Sequence, residues 1–239
     1  MDYNQLNFDA MTREQGLSMS AAFPALMRKV YVWMTLALLI TGATAYGVAT
    51  SPGIQMALFS NQVLFWGLII AEFALVIGIS AAINRLSLTT ATLMFILYSV
   101  INGAVLSSIF LIYTMSSIAS VFFITAGTFG VMALIGYTTK KDLTSMGKIL
   151  LMALIGIIIA TIVNIFLKSS GLQMIVSYLG VLVFVGLTAY DSQKIKQMLQ
   201  MAPDTSEASQ KLALLGALTL YLDFINLFIY LLRIFGRRE

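Results

Sequence analysis

Seven apolar runs, each long enough to cross a lipid bilayer, dominate this chain. A transmembrane helix needs about 20 consecutive, mostly apolar residues, and the connections between these runs are short. The runs are Val30–Ala49, Val63–Ile83, Leu88–Tyr113, Ile118–Thr138, Ile149–Leu167, Leu172–Asp191 and Leu212–Phe235. Only 10% of the 239 residues are charged, against about 25% in a soluble domain. The sequence therefore predicts an all-α membrane protein with seven transmembrane helices in residues 27–239, preceded by a polar cytosolic tail in residues 1–26.

The composition excludes several classes of function. The chain has no cysteine and no histidine, which excludes disulfides, thiolate or imidazole metal sites and Ser-His-Asp triads. No basic segment interleaved with aromatic residues indicates nucleic-acid binding, and the net charge of +4 is read as a topology signal. We expect no cofactor and no cleaved signal peptide, since no basic region precedes an apolar core with a cleavage site.

Basic residues predict the orientation of the helices, because cytosolic loops of membrane proteins are enriched in lysine and arginine. If every run crosses, ten basic residues fall on one side and only Lys168 lies between runs on the other. The ten are Arg13, Arg28, Lys29, Arg85, Lys140, Lys141, Lys148, Lys194, Lys196 and Lys211. This places the N-terminus in the cytosol. Arg233, Arg237 and Arg238 conflict with the rule: either the last run crosses and the C-terminus lies outside, as its length favours, or this run is re-entrant.

A stripe of polar and small residues runs along the last apolar segment. Its members recur at steps of three and four residues, which places them on one side of a helix. They are Gly216, Thr219, Asp223, Asn226, Tyr230 and Arg233. An aspartate at the centre of a membrane helix costs roughly 2.5–3.5 kcal/mol on insertion scales and is usually functional. We expect Asp223 to be functional and the stripe to face protein or water; the alternative is a packing face with satisfied hydrogen bonds.

Asp191 ends the preceding run and has two interpretations. It is either an interfacial residue paired with Lys194 or Lys196, or a partner of Asp223 across the hairpin that the last two helices form. Two carboxylates in a low dielectric share a proton rather than both ionise. Such a pair is a latch that closes when protonated and repels when doubly ionised. Calcium prefers six to eight oxygen ligands, so this pair predicts transient passage of Ca²⁺ rather than tight binding.

Two further charged residues and one polar face belong to the second and third runs. Glu72 is either a hydrogen-bonded neutral acid or a functional group. Arg85, at the end of the same run, is typical of a cytosolic anchor, at a depth near that expected for Asp191. Ser99, Asn102, Gly103 and Leu106 share one face of the third run, which we interpret mostly as helix packing.

Four segments resemble the Bax inhibitor, or transmembrane Bax inhibitor motif, family in its bacterial branch. They are "TTKKDLT" (138–144), "AYDSQKIK" (189–196), "LYLDFINLFIYLLRIFG" (220–236) and "NRLSLTTATLMFILYSVINGAVLSSIFLIYT" (84–114). The resemblance implies seven helices, with the C-terminal helix central within the other six. It also implies a pH-sensitive calcium leak of the bacterial inner membrane.

The same resemblance assigns roles to individual residues. It implies a gate at Asp191 and Asp223, with Glu72 on the permeation path. Family members also have an arginine near the end of the second helix that locks to the aspartates. Arg85 is the candidate latch here, although Ile83 stands at the family position.

Two rival functions use the same residues differently. An intramembrane aspartyl protease also carries two aspartates on adjacent helices, one in a Tyr-Asp pair like Tyr190-Asp191. Its second aspartate follows Gly-x-Gly, which is absent before Asp223, and Pro24-Ala25-Leu26 lies far upstream of the place that its Pro-Ala-Leu element requires. We therefore expect no enzyme. The other rival, drawn from the bacterial members, is a non-conducting modulator of a membrane-bound AAA protease, for which the N-terminal tail is either a docking segment or a degradation handle.

Overall fold

Helices make up nearly all of the computed structural model, which describes residues 3–238 and side chains from Ala22 onward. Eight α-helices and one 3₁₀ helix, Ser107–Leu111, are found in this part of the chain. The α-helices are α1 Tyr3–Ala49, α2 Pro52–Ser60, α3 Gln62–Ala82, α4 Leu88–Leu106, α5 Met115–Thr138, α6 Thr144–Leu167, α7 Ser170–Gln200 and α8 Glu207–Phe235. Seven of them are long and apolar enough to cross a membrane. The predicted fold class is confirmed.

Two helices differ from the apolar runs in a way that matters for the site. The sixth run ends at Asp191, but α7 continues to Gln200, so Asp191 lies inside a helix rather than at its end. The short helix α2 occupies a segment in which the sequence predicts only a turn at Ser51-Pro52-Gly53. Pro52 starts that helix, because its fixed φ suits the first helical position.

Helix α8 lies at the centre of the bundle. In its most apolar 18-residue window 67% of the residues are buried, against 6% in α3 and in α6. It packs against α7, α1, α5 and α4, whereas α3 packs mainly on α4 and α6 on α7. The last helix is therefore the one whose polar residues meet the most neighbours.

The two ends of α8 lie at opposite ends of the bundle. Near its start, Lys29 Nζ of α1 donates to Gln210 Oε1 at 2.6 Å. Beyond its end, the Arg237 carbonyl accepts from Thr114 N at 3.1 Å, just before α5. The last run therefore traverses the whole bundle, and the C-terminal segment lies at the end opposite Lys29. Which end faces the cytosol stays a prediction from the charge pattern.

The predicted tail comprises residues 1–26, and the side chains of residues 1–21 lie outside the part of the chain that the structure describes. A role of the tail in docking is therefore a prediction from the sequence alone.

Candidate functional site

Asp191 of α7 and Asp223 of α8 lie side by side in the interface between these helices. Their carboxyl groups are within hydrogen-bonding reach of each other. Asp223 is 5% exposed, and Asp191 is half-buried. The structure thus brings together the two aspartates that the sequence pairs.

The pairing follows from how closely α7 and α8 pack along the polar stripe. Gly216 of α8 faces Ile195, and Gly180 of α7 lies against the ring of Tyr230, so close that an added Cβ would be 2.7 Å from ring atoms. Small residues at such positions let helix backbones approach each other in a membrane. The stripe of α8 therefore faces protein, as its pattern predicts, and Asp223 is held at the level of Asp191.

One oxygen of this pair has no hydrogen-bond partner. Oδ2 of Asp223 is buried and unpartnered among the described side chains. An unsatisfied buried polar group costs about 1–3 kcal/mol, and more when it is charged. Two ionised carboxylates are both acceptors, so Asp191 and Asp223 can bond each other only when one of them carries a proton. The geometry is therefore that of a proton-sharing pair.

The cation whose charge acts on this pair belongs to α7 itself. Lys194, about one turn beyond Asp191, interacts with the Asp191 carboxylate. Arg85 lies exposed in the turn after α3 and makes no ion pair or side-chain hydrogen bond with any residue from 22 to 238. The structure does not bring Arg85 to the aspartates, and its role as a latch remains a prediction.

Asp223 lies inside the last membrane span, well away from the charged residues of its own helix. At 1.5 Å per residue it lies roughly 18 Å from Lys211 and roughly 15 Å from Arg233 along the helix axis, the two charged residues that flank it on α8. Toward Arg233 the interface is closed by rings: Phe184 of α7 stacks on Tyr230 of α8, with centroids 5.9 Å apart. This stacked pair of rings therefore lies between Asp223 and the C-terminal end of the bundle.

Helix α5 fixes α7 next to the aspartate pair. Ser192 Oγ donates to the carbonyl of Ala133 at 2.8 Å. Gly136 lies directly against the backbone of Ala189, so that an added Cβ would overlap the Ala189 carbonyl. These contacts flank Asp191 on both sides and restrict its movement. The sequence gives no periodic signal for them.

The loop between α5 and α6 is tied to α7 immediately beyond Asp191. Gln193 accepts from Leu143 N at 2.9 Å and donates to the Lys141 carbonyl at 2.8 Å. In this loop Asp142 accepts from both the hydroxyl and the backbone N–H of Thr144. These bonds lower the pKa of the exposed Asp142 carboxyl below its ordinary value. The segment "TTKKDLT" thus positions the helix that carries Asp191.

Glu72 belongs to a second polar cluster, which links four helices. Asn102 Nδ2 donates to Glu72 Oε1 at 3.0 Å, and Asn102 Oδ1 accepts from the Tyr221 hydroxyl at 2.9 Å. The Tyr221 oxygen also lies 2.7 Å from Thr41 Oγ1, which donates to the Ser99 carbonyl at 2.9 Å. The sequence interpretation of Ser99 and Asn102 as packing residues misses this network, and nothing in the pattern marks Thr41 or Tyr221.

This network is one proton short. Each hydroxyl has a single proton, yet Tyr221 and Thr41 take part in three contacts: Tyr221 to Asn102, Thr41 to Ser99, and Tyr221 to Thr41. One of the three must lack a proton. A neutral Glu72 supplies it if the Asn102 amide turns over: Glu72 then donates to Asn102, Asn102 to Tyr221, Tyr221 to Thr41 and Thr41 to Ser99.

Glu72 and the aspartate pair lie on different sides of α8. Tyr221 and Asp223 are two residues apart, and a step of two residues turns about 200° around a helix of 3.6 residues per turn. Tyr221 therefore faces α1 and α4, while Asp223 faces α7. The structure does not bring Glu72 to Asp191 and Asp223, and connects it to them only through the body of α8.

The carboxylates do not form a preorganised metal site. Among residues 22–238 no group of three or more acidic side chains could hold a metal ion. Asp191 and Asp223 offer at most four oxygens, whereas calcium takes six to eight at 2.3–2.6 Å. Water or carbonyl groups would have to supply the rest, which suits an ion in transit.

Comparisons with known proteins agree with this architecture. The family model described as "Inhibitor of apoptosis-promoting Bax1" matches residues 24–239. The inner membrane protein YbhL of Escherichia coli K12 is 54% identical over 221 residues, which cover 92% of this chain and 94% of the relative. An uncharacterized protein of Borreliella burgdorferi is 50% identical over 213 residues, covering 89% and 92%. Protein RP147 of Rickettsia prowazekii, also uncharacterized, is 46% identical over 215 residues, covering 89% of each chain.

Proposed function

The chain belongs to the Bax inhibitor family, and we propose that it is a pH-sensitive cation leak whose permeant ion is calcium. The single observation that carries the proposal is the buried pair of Asp191 and Asp223 with an unpartnered Oδ2. A purely structural role favours satisfied polar groups in a membrane interior. Here two acids are retained inside the helix bundle, side by side, in an arrangement that favours a shared proton.

The proton controls the pair through simple electrostatics. With one proton, the two carboxyl groups hydrogen-bond and hold α7 against α8. Without it, two negative charges face each other; at 4 Å and an effective dielectric constant of about 20 they repel by about 4 kcal/mol. That energy is enough to shift a two-state equilibrium by about a thousandfold. The leak is therefore closed at acid pH and opens as the proton is lost.

The same carboxylates attract a divalent cation once they are ionised. Four hard oxygens in a low dielectric favour Ca²⁺, and the small ligand number keeps its residence short. Lys194 competes with the cation for Asp191 and limits how tightly it binds. Glu72, on the other side of α8, is proposed as a second acid of the path, and the inner membrane is the proposed location.

The test is calcium influx into liposomes containing the purified full-length protein, measured from about pH 5 to pH 8, where groups near neutrality titrate. Flux through the wild type rises with pH. Asp191→Asn and Asp223→Asn abolish this rise, because an asparagine amide donates to the remaining carboxylate at every pH. Asp204→Asn is the matched control: its carboxyl is exposed in the loop between α7 and α8, and the hydrogen bonds from Ser206 hold its pKa below the assayed range. A calcium influx equal to that of empty vesicles at every pH would refute the proposed leak.

The alternative proposal is a non-conducting modulator of a membrane-bound AAA protease. It rests on the resemblance to bacterial family members and on the polar N-terminal tail. Deleting residues 1–20 separates the two functions: a docking tail is needed for regulation of the protease but not for ion flux. Loss of flux in the deletion variant together with unchanged protease regulation would contradict the docking role.

A further inference from the structure

A cavity of about 380 Å³ lies where the end of α6, the start of α7 and the end of α8 meet. Its polar lining consists of Thr161, Asn164, Lys168, Gln173 and Arg233. It contains two cations and no carboxylate. Neither side chain makes a hydrogen bond or an ion pair with another residue in the part of the chain described at side-chain level. Two uncompensated positive charges around one cavity favour an anionic ligand.

The two cations differ in exposure: the Lys168 side chain is exposed, whereas Arg233 is half-buried. Lys168 ends α6 with φ of 50°, in the left-handed region where glycine is usual and other residues cost about 1–2 kcal/mol. The guanidinium of Arg233 lies over the ring of Tyr230, 5.4 Å from its centroid. That ring packs on Gly180 and Phe184, so Arg233 is half-buried with donor edges still free. A guanidinium edge of this kind binds phosphate oxygens in pairs.

Uncharged hydrogen-bond donors also line the cavity. Asn164 Oδ1 accepts from Ser169 N at 3.0 Å, which leaves the Nδ2 protons of Asn164 for a ligand. Gln173, in the first turn of α7, also lines the cavity. Donors of this kind suit a phosphate group, whose oxygens accept several hydrogen bonds.

The surroundings indicate that the phosphate belongs to a lipid. The cavity lies at the turn between two membrane spans, which is the depth of the headgroups. Below it, α6 presents apolar side chains to the bilayer: Ile162 is 51%, Ile165 57% and Phe166 80% exposed. A polar pocket above an exposed apolar strip fits a headgroup and its acyl chains together.

We propose that this cavity is a binding site for the headgroup phosphate of an anionic phospholipid, with Lys168 and Arg233 as its charged ligands. The site also accounts for two of the basic residues that the charge rule does not expect at this end of the bundle. It is independent of ion conduction and of the aspartate pair.

The experiment is native mass spectrometry of the full-length protein with phosphatidylglycerol, with phosphatidylcholine, whose zwitterionic headgroup has no net charge, as the comparison. The wild type retains one phosphatidylglycerol in preference to phosphatidylcholine. Lys168→Gly and Arg233→Gln each weaken binding roughly tenfold, equal to about 1.4 kcal/mol. Lys168→Gly relieves the left-handed backbone, so its loss of binding cannot be ascribed to misfolding. Arg237→Gln, an exposed arginine at the same end of the bundle outside the cavity, is the control and binds like the wild type.

Three results would overturn the proposal. Equal retention of both lipids by the wild type would mean that no anionic site exists. Unchanged binding in Lys168→Gly and Arg233→Gln would place the lipid elsewhere. If inorganic phosphate displaces phosphatidylglycerol and binds with the same dependence on Lys168 and Arg233, the site takes free phosphate and the lipid assignment is wrong.

Discussion

Replacing Tyr221 with phenylalanine and Thr41 with valine tests the proton count of the Glu72 network. Tyr221→Phe keeps the ring, which packs edge-on against Phe95 and Tyr98, and removes only the hydroxyl. Asn102 Oδ1 then loses its donor while buried. Thr41→Val removes the hydroxyl that bonds Ser99, but the Ser99 carbonyl lies within α4 and keeps its helical hydrogen bond. The two substitutions should therefore lower the free energy of unfolding by unequal amounts.

The magnitudes follow from what each change leaves unsatisfied. A buried acceptor without a donor costs about 1–3 kcal/mol, and measured side-chain hydrogen bonds in membrane proteins average about 0.6 with a maximum of about 1.7 kcal/mol. We expect Tyr221→Phe to lower the free energy of unfolding by about 1–2 kcal/mol. Thr41→Val should change it by less than about 0.5 kcal/mol. The coupling energy between the two should be near zero, because the contact between their oxygens has no proton of its own when both other bonds are made.

Equilibrium unfolding in mixed micelles, titrated with a denaturing detergent, measures these differences. Thr125→Val controls for loss of a buried hydroxyl that bonds only its own helix, at the Val121 carbonyl. Tyr178→Phe controls for an exposed tyrosine. The prediction is wrong if Thr41→Val lowers the free energy of unfolding as much as Tyr221→Phe and the two substitutions show a favourable coupling energy of about 1 kcal/mol. That result would mean that every contact in the network has a proton.

Glu72→Gln extends the same test. A glutamine amide can donate to Asn102 Oδ1, so Asn102 can present its Nδ2 to Tyr221, and every contact in the chain then has a proton. In this background the coupling between Thr41→Val and Tyr221→Phe should rise to roughly 0.6–1.7 kcal/mol. An unchanged coupling would contradict the proposed turnover of the Asn102 amide.

Three further predictions concern the gate and its supports. Gly136→Ala should lower the unfolding free energy by about 1–3 kcal/mol, because the new methyl group meets the Ala189 backbone, whereas Gly130→Ala, with open space around it, should have little effect. Phe184→Ala should raise calcium flux at acid pH, because it removes the ring that stacks on Tyr230; unchanged flux would mean that the rings do not seal the path. The stabilising contribution of Asp142 should be present above the ordinary pKa of an aspartate and lost as pH falls through its lowered pKa, which an NMR titration of Asp142 and Thr144 can follow; a pKa at the ordinary value would contradict it.

The fold and the aspartate pair could be predicted from the sequence because both leave a signal in the order of apolar and charged residues. Apolar length defines the spans, and a charged residue inside one is costly enough to stand out. The boundary of α7 could not be predicted this way. Hydropathy reports contact with lipid, and the segment after Asp191 is polar yet helical, so the apolar run stops nine residues early.

The polar cluster around Glu72 could not be predicted from the sequence, for a different reason. Threonine and tyrosine are common in membrane spans, and a step of two residues from Asp223 hides Tyr221 on the other face of the same helix. Its role depends on which helix lies opposite, which is a tertiary fact. The close approach of α1 and α4 decides it: a Cβ added to Gly103 would be 2.5 Å from the Thr41 carbonyl, and this proximity brings Thr41 to Ser99.

The position of α8 between the two clusters has a consequence for the proposed gating. Any movement of α8 that separates Asp223 from Asp191 must also displace Tyr221 from Asn102 and Thr41. A network that lacks one proton loses less hydrogen-bonding free energy on that displacement than a complete network does. It therefore opposes the separation of α8 from α7 only weakly. A neutral Glu72 completes the network and raises the resistance, while a shared proton strengthens the aspartate pair. In the proposed mechanism both acids therefore act in the same direction: protons hold α8 in place from two opposite sides, and losing them from either side favours its release.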